Sequence, residues 1–346
     1  MPAVETQVLI VGAGLSGLMA ANTLRDNGVA VTLLDKGRSV GGRLATRRIG
    51  PGRADHGAQF FTVRHHEFEQ RVYQWLQMGL AYRWSTGWSN GSVDLSAQAE
   101  GYPRYAIRGG MNALAKHLAQ NLNILLNVQV AAVTLTEEGW HCTDTTGQQI
   151  ISEAVILTAP VPQSLALLEA GNMQLPPTEL TALKKIEYRP CIAGLFWVDG
   201  PVNLPDPGAM QRPQHPICWI ADNQRKGISP EATLITAHAS PEYSQHLWNE
   251  PPEEALLALT DGLTPFVEPH TKIIEAQLKR WRYSVPVVLH PERYLAVGRT
   301  LPLVFAGDAF GEPRVEGAAL SGIAAAAKVL SLLKHHSVYD DTTDPS

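Results

Sequence analysis

The stretch QVLIVGAGLSG, residues 7–17, decides the fold. Residues 7–11 are a short β-branched run, and Gly12-Ala13-Gly14-Leu15-Ser16-Gly17 follows as a G-x-G-x-x-G. Leu15, Leu18, Met19, Ala21 and Leu24 then recur at helical spacing until Asn27-Gly28, after which VAVTLLD (29–35) reads as a second buried strand. Strand, tight turn, helix and strand within about thirty residues make one βαβ unit, the opening of a parallel sheet. In such a motif the first glycine permits the turn, the second admits a pyrophosphate to the backbone, and the third brings helix and strand together. The helix N-terminus adds unpaired N–H donors and a positive dipole end. Asp35 closes the second strand, 18 residues past Gly17, where a carboxylate accepts from an adenosine ribose. An acid there, rather than an arginine, disfavours a 2′-phosphate. These residues define an adenine dinucleotide site without separating FAD from NAD.

The next cluster outward separates them. Arg38-Ser39-Val40-Gly41-Gly42-Arg43-Leu44-Ala45-Thr46 resembles the R-x-G-G-R-x-x-[ST] sequence of the amine oxidase and phytoene desaturase superfamily of flavoproteins. Gly41-Gly42 lets backbone pass close to a cofactor, and Arg43 offers a forked cation for pyrophosphate oxygens. Far downstream, Ala306-Gly307-Asp308 follows the apolar run LPLVF, and Val315-Glu316-Gly317-Ala318-Ala319-Leu320-Ser321-Gly322 opens a small-residue helix. In flavoproteins of this kind the late aspartate receives a ribityl hydroxyl. The helix behind it points its positive end at the flavin, which favours the anionic reduced ring. FAD is therefore the expected cofactor.

At 346 residues the chain exceeds what one core usually supports, so two domains are expected. The net charge of −5 gives no attraction to nucleic acid or to anionic lipid, and no segment signals an obligate protein partner. Cys142, Cys191 and Cys218 show no paired spacing, so neither a disulfide framework nor a metal site is proposed, and buried inert thiols are expected. Glu5 precedes the apolar stretch 8–21 and three glycines interrupt it, so it does not read as a secretion signal. No stretch reads as a membrane span of roughly 18 to 20 apolar residues, and a cytoplasmic protein is expected.

Residues 64–75 read as a helix, and 76–103 as aromatic-rich irregular sequence. Met111, Leu114, Ala115, Leu118 and Leu122 make one apolar helix face. Three runs between 123 and 160 read as a small antiparallel meander ending in a buried strand, with Pro160 and Pro162 marking a crossing between domains. Strands at 191–198 and 233–239 and a helix near 252–264 fill the Pro-rich remainder. The fold class expected is α/β, a Rossmann-like FAD-binding domain of parallel sheet, helices and meander, beside an α+β substrate domain with a mixed or antiparallel sheet. Its FAD-binding domain takes 1–62, 104–162 and 286–338, provided that 8–11, 154–158 and 302–306 share one sheet. The substrate domain takes 63–103 and 163–285, and 339–346 is a disordered tail.

Thr46-Arg47-Arg48, Asp55-His56-Gly57-Ala58-Gln59-Phe60-Phe61-Thr62, Trp281-Arg282-Tyr283-Ser284 and Val315-Glu316-Gly317-Ala318, in this order, resemble the renalase family, in particular its bacterial members. The resemblance spans residues 7 to about 333 and is loose between 163 and 275. It implies a noncovalent FAD enzyme that oxidises dihydro isomers of NAD(P), those with the extra hydride at the wrong ring carbon. Hydride passes to flavin N5, NAD(P)+ leaves, and dioxygen regenerates the flavin with release of hydrogen peroxide. Aromatisation drives that step, so no catalytic acid–base dyad is expected. His238, Arg282, Gln59 and Phe60 are the catalytic candidates. Lys36, Ala58 and Val130 join Gly12–Gly17, Asp35, Arg38, Gly42, Arg43, Gln59, Phe60, Gly307, Asp308 and Glu316–Ala318 as candidate cofactor ligands. Trp84, Trp88, Tyr102, Trp219 and Trp248 read as core filling rather than as a stacking cage. An oxidase of small amines, or a flavin-holding module without turnover, are the alternatives.

Overall fold

The structure, a computed structural model, describes residues 4–88, 102–298 and 301–340. The chain divides into two compact units. One comprises Met1–Gly42, Ala115–Glu187 and Pro286–Ser346, and the other Arg43–Leu114 and Tyr188–Val285.

The first unit is built on a sheet whose centre is the strand Val4–Val11. It lies parallel between Val31–Asp35 and Gln149–Leu157, and Asn123–Leu126 and Leu303–Phe305 continue the parallel order on either side. Runs buried on both faces need no polar alternation, which is why Val8, Leu9, Ile10, Val155 and Ile156 are all without exposure. The three strands expected to share one sheet do so. The meander differs from expectation in its first run, which breaks in two. Asn127 takes a positive φ of 58° and its amide reaches Gly37 O, so 123–126 joins the parallel sheet. Only Val130–Thr136 then pairs with Gly139–Asp144.

Helix Leu15–Asp26 crosses helix Arg314–Asp340 at Gly322, where a Cβ would stand 2.1 Å from Ser16 O. The last helix is longer than the sequence reading allowed, and residues 339 and 340, assigned to a disordered tail, close it; 341–346 lie outside the described residues. By length and apolarity its segment Arg314–Lys334 could cross a membrane, contrary to the expectation that no stretch could. Its apolar side chains are instead largely buried, Ala319, Ala325, Ala326 and Val329 completely so.

Pro160, Pro162, Pro176 and Pro177 are not a linker. They start the helices Val161–Ala170 and Pro177–Lys184, since proline fits the first helical turn, where its missing N–H costs nothing. The first of these helices packs on Val130–Thr136, so 163–187 stays with the first unit rather than with the substrate domain.

The second unit carries a five-stranded sheet in the order Ala209–Gln211, Ile217–Asp222, Thr233–Ala239, Glu187–Asp199, Lys272–Val288. Its pairs through Glu187–Asp199 are antiparallel. Alternation sends Ile220, Ile235, Ala237, Ile192 and Phe196 to one face, under the helix Pro252–Leu263. The other face presents Leu234, Leu195 and Trp197 to Ile49 and Ala54 of the hairpin Thr46–Ile49/Gly52–Asp55. A Cβ on Gly50 would stand 2.5 Å from the Trp197 ring, so that hairpin lies tight on the sheet. Residues 43–62 and 104–114 therefore belong to this unit, not to the FAD-binding domain as expected.

Candidate active site

In the first unit the glycine motif forms a cradle. Gly12 has φ 109°, and a Cβ on Gly17 would lie 2.0 Å from Gly12 O, so these two are fixed by turn and packing. Gly14 is different, because a Cβ there would meet nothing within 4 Å. The helix it precedes has no side-chain cap, and Ser16 Oγ is buried without a partner among the described residues. Open space, uncapped N–H groups and an orphaned hydroxyl at one helix start are what a pyrophosphate requires. Asp35 fastens the rim, with Oδ2 accepting the Ala13 amide at 2.7 Å and Oδ1 the Gly37 amide at 2.6 Å. Each oxygen keeps a second acceptor site for a ribose hydroxyl. The second glycine pair closes on the first, as Gly41 donates to Ala13 O at 2.8 Å and the Gly42 Cβ position lies 3.5 Å from Gly14 Cα.

Lys36 and Arg38 are exposed beside this rim, and Val130 is buried at the start of its strand. Later in the chain, Gly307 holds φ 141° and donates to Ser321 Oγ at 2.8 Å, with Asp308 and Glu316 buried nearby in sequence. A side chain on Gly317 would strike Glu312 O, so only glycine serves there, whereas Ala318 stays half-exposed. The three thiols stay protonated at physiological pH. Burial pushes Cys142 and Cys191 up to about 12 and Cys218 to about 11.

Arg43, Ala58, Gln59 and Phe60 are carried by the second unit. Arg43 Nη1 donates to the carbonyls of Tyr283 and Ser284, at 3.2 and 3.1 Å. The segment 55–60 is organised by an ion pair absent from the sequence expectations. Lys226, without exposure, donates from Nζ to Asp55 Oδ2 and to Gln59 O, both at 2.6 Å, and lies 4.9 Å from the Trp84 ring centre. Asp55 also accepts from Thr46 Oγ1 and from the Met111 amide. The Gln59 amide nitrogen is engaged by Asp55 O at 2.7 Å and Gly57 O at 3.1 Å, which leaves its Oε1 buried without a partner among the described residues.

His56 stacks on Trp281, ring centres 5.3 Å apart and planes at 18°, and its carbonyl accepts the Trp281 indole N–H. Burial, then the charges of Lys279, His238 and Arg47, depress its pKa to about 3. Burial also lowers His238 to about 4, with the Lys226 charge adding to it and a hydrogen bond to the His56 backbone opposing. Both imidazoles are thus neutral at physiological pH. His56 Nδ1, His238 Nε2 and the indole nitrogens of Trp88 and Trp219 are further buried polar atoms with no partner among the described residues. Trp219 pairs across the sheet with His238, and Phe60 lies 5.1 Å from Trp88 and 5.5 Å from Trp219.

Three of the four catalytic candidates, His238, Gln59 and Phe60, thus share the face opposite the helices, and Arg282 does not. Along Lys272–Val288, Ala276 and Leu278 face the helix-covered core, and Arg280 and Arg282 follow them at a period of two. Arg280 reaches Glu250 O, and Arg282 stacks over Trp248 at 5.4 Å. Trp281, one residue away, faces His56. Of the aromatics, Trp84, Trp88 and Trp219 pack together, Trp248 packs on the helix-side core, and Tyr102 is exposed beneath Arg64. Asp55 and His56 lie within the Asp55–Thr62 motif, which gives no hint of their roles, and Lys226 lies in a polar loop whose pattern announces nothing.

The dinucleotide cradle of the first unit and, in the second, a face of neutral imidazoles and aromatic rings are those of a dinucleotide-dependent oxidoreductase, and the comparisons make it an FAD enzyme. The sequence model of the flavin-containing amine oxidoreductases matches residues 76–330, and that of an NAD(P)-binding Rossmann-like domain matches 10–77. The chain belongs to the flavin-containing amine oxidoreductase family. It is 28% identical to renalase of Mus musculus over 64% of this chain and 68% of that protein. It is 27% identical to coproporphyrinogen III oxidase of Propionibacterium freudenreichii subsp. freudenreichii over 58% of this chain and 38% of that one. Wild-type putrescine oxidase bound to putrescine shares the fold, with a TM-score of 0.70 at 16% identity, covering 95% of this chain and 100% of that chain.

Proposed function

We propose that this protein oxidises dihydro isomers of NAD(P), in which the surplus hydride sits at an unproductive ring position. The carrying observation is the charge state of the second unit's face that carries Gln59 and His238. Asp55 is neutralised by Lys226, both imidazoles are held uncharged, and the Lys279 side chain adds positive charge. No free carboxylate among these groups would balance an alkylammonium ion, whereas an uncharged dihydropyridine ring costs nothing to bring in. The orphaned atoms add polarity of the right kind. Gln59 Oε1 asks for a donor and the Trp219 indole for an acceptor, and a ring carboxamide offers both. Similarity to renalase supports the same reading.

Bound FAD would supply the hydride acceptor at N5 and pass the electrons to dioxygen, giving hydrogen peroxide. The Gly12–Gly17 loop, Ser16 and Asp35 would hold its adenosine half. Gln59, Phe60 and His238 orient the substrate ring and exclude water, and no side chain needs to move a proton. Anaerobic addition of a 2- or 6-dihydro isomer of NAD should bleach the flavin, with ordinary NADH far slower. The aromatic cluster of Phe60, Trp88 and Trp219 favours amines as the second reading, because ring faces attract cations. Peroxide production from simple amines, with no bleaching by any dihydro isomer, would establish that reading instead.

A further inference from the structure

We propose that Asp55 and Lys226 form a positioning pair, which aims the Gln59 acceptor and the Phe60 ring at the reacting groups. This rests on the assignment of Gln59 and Phe60 to the substrate side of the site. A buried ion pair is weak evidence for stability, since well-packed apolar residues of equal volume do as well or better. The geometry here has a more specific result. Lys226 Nζ donates two hydrogen bonds, and both end within residues 55–59, one on the Asp55 carboxylate and one on the Gln59 carbonyl. The Asp55 carbonyl anchors the Gln59 side-chain nitrogen, and Thr236 Oγ1 donates to that same carbonyl at 2.8 Å. The carboxylate, held by Thr46 and the Met111 amide, fixes where this carbonyl points.

Gln59 is consequently restrained at its main-chain oxygen by Lys226 and at its amide nitrogen by residues 55 and 57. Its Oε1 is left, buried and unpartnered among the described residues, and its direction is set by the pair. Asn223 ties the loop of Lys226 to the same frame, with Oδ1 accepting the Asp55 amide at 3.2 Å and Nδ2 donating to Thr236 Oγ1 at 2.9 Å. Asp55 and Lys226 themselves have every polar group turned inward. They touch no substrate and act through Gln59.

The test compares Lys226→Met with the double variant Asp55→Asn/Lys226→Met, both as FAD-loaded holoprotein. Lys226→Met strands a buried carboxylate and should lower the melting temperature strongly. The double variant is uncharged, keeps the volume of both side chains, and should return the melting temperature to within a few degrees of the parent. Its kcat should nevertheless stay at least tenfold low with KM changed less than about threefold, because methionine cannot hold the Gln59 carbonyl. The visible flavin band, which needs no substrate, should shift in the double variant as well. Recovery of both kcat and the flavin band together with the melting temperature would reduce the pair to a structural role and overturn the proposal. Should no dihydro isomer reduce the parent enzyme, the substrate reading fails, and the band alone decides: a shifted band supports the pair, an unshifted one overturns it.

Discussion

At the scale of single residues, the three glycines of the cradle have separable duties. Gly14→Ala is expected to leave apoprotein stability within about 1 kcal/mol, because its φ of −74° suits alanine and no atom lies within reach. Yet it should empty the purified protein of FAD, which absorbance at the flavin maximum would register. Gly17→Ala should instead weaken the apoprotein itself by about 1–3 kcal/mol or more, since its Cβ meets Gly12 O. Both duties were legible in the spacing of the motif, because backbone chemistry follows glycine directly. The Asp55–Lys226 pair was not legible, as 171 residues separate partners whose meeting depends on the fold of a whole sheet. The histidines carry a pH signature. Burial depresses both, so the unfolded imidazoles bind protons that the folded ones refuse once pH drops below about 6.5. Stability is complete above that value and declines toward pH 4 and then 3, by about 1.4 kcal/mol per pH unit for each imidazole. Urea midpoints between pH 7 and 4.5 should fall less steeply for His238→Gln than for the parent. Between pH 5 and 8, kcat/KM should show no limb from either histidine.

At the scale of elements, the edge strand Lys272–Val288 shows how a one-residue offset sorts function from packing. Trp281→Ala should reduce kcat/KM more than tenfold by releasing His56. Arg282→Ala should leave kcat/KM within about threefold and remove only the stacking on Trp248, worth roughly 0.5–1 kcal/mol at such a site. Parallel steady-state kinetics on the two variants would check this, and equal losses would contradict the sorting. The sequence offered Trp-Arg-Tyr-Ser as a cluster but not the face each residue takes. A strand with few buried side chains gives no apolar alternation from which a register could be read. Strands buried on both faces were readable for the opposite reason, their unbroken apolar runs. The helices at Val161 and Pro177 are hidden in the sequence because proline commonly punctuates a chain, whereas at a first helical turn it is an initiator.

At the scale of the whole molecule, FAD should act as a folding ligand, since the cradle exists only in the native state. Saturation at about a hundred times the dissociation constant should add about 2.7 kcal/mol to stability, seen as a higher melting temperature of holoprotein than of apoprotein. The division into two units was anticipated from length, but its boundaries were not. The Gly-rich stretch after Asp35 and the hairpin at 46–55 are contiguous in sequence, yet tight packing of Gly50 on Trp197 assigns the hairpin to the second sheet. The order of strands in the first sheet bears also on how the protein is made. Val4–Val11 leaves the ribosome ahead of its neighbours: Gln149–Leu157 is translated well over a hundred residues later, and Leu303–Phe305 later still. At roughly 5–20 residues per second Val31–Asp35 can cover one edge of the nascent central strand within seconds, but the edge that Gln149–Leu157 covers stays unpaired for many seconds. A stop codon anywhere before residue 303 would release a chain whose first sheet cannot be completed, so truncated forms should be found in the insoluble fraction of a cell extract.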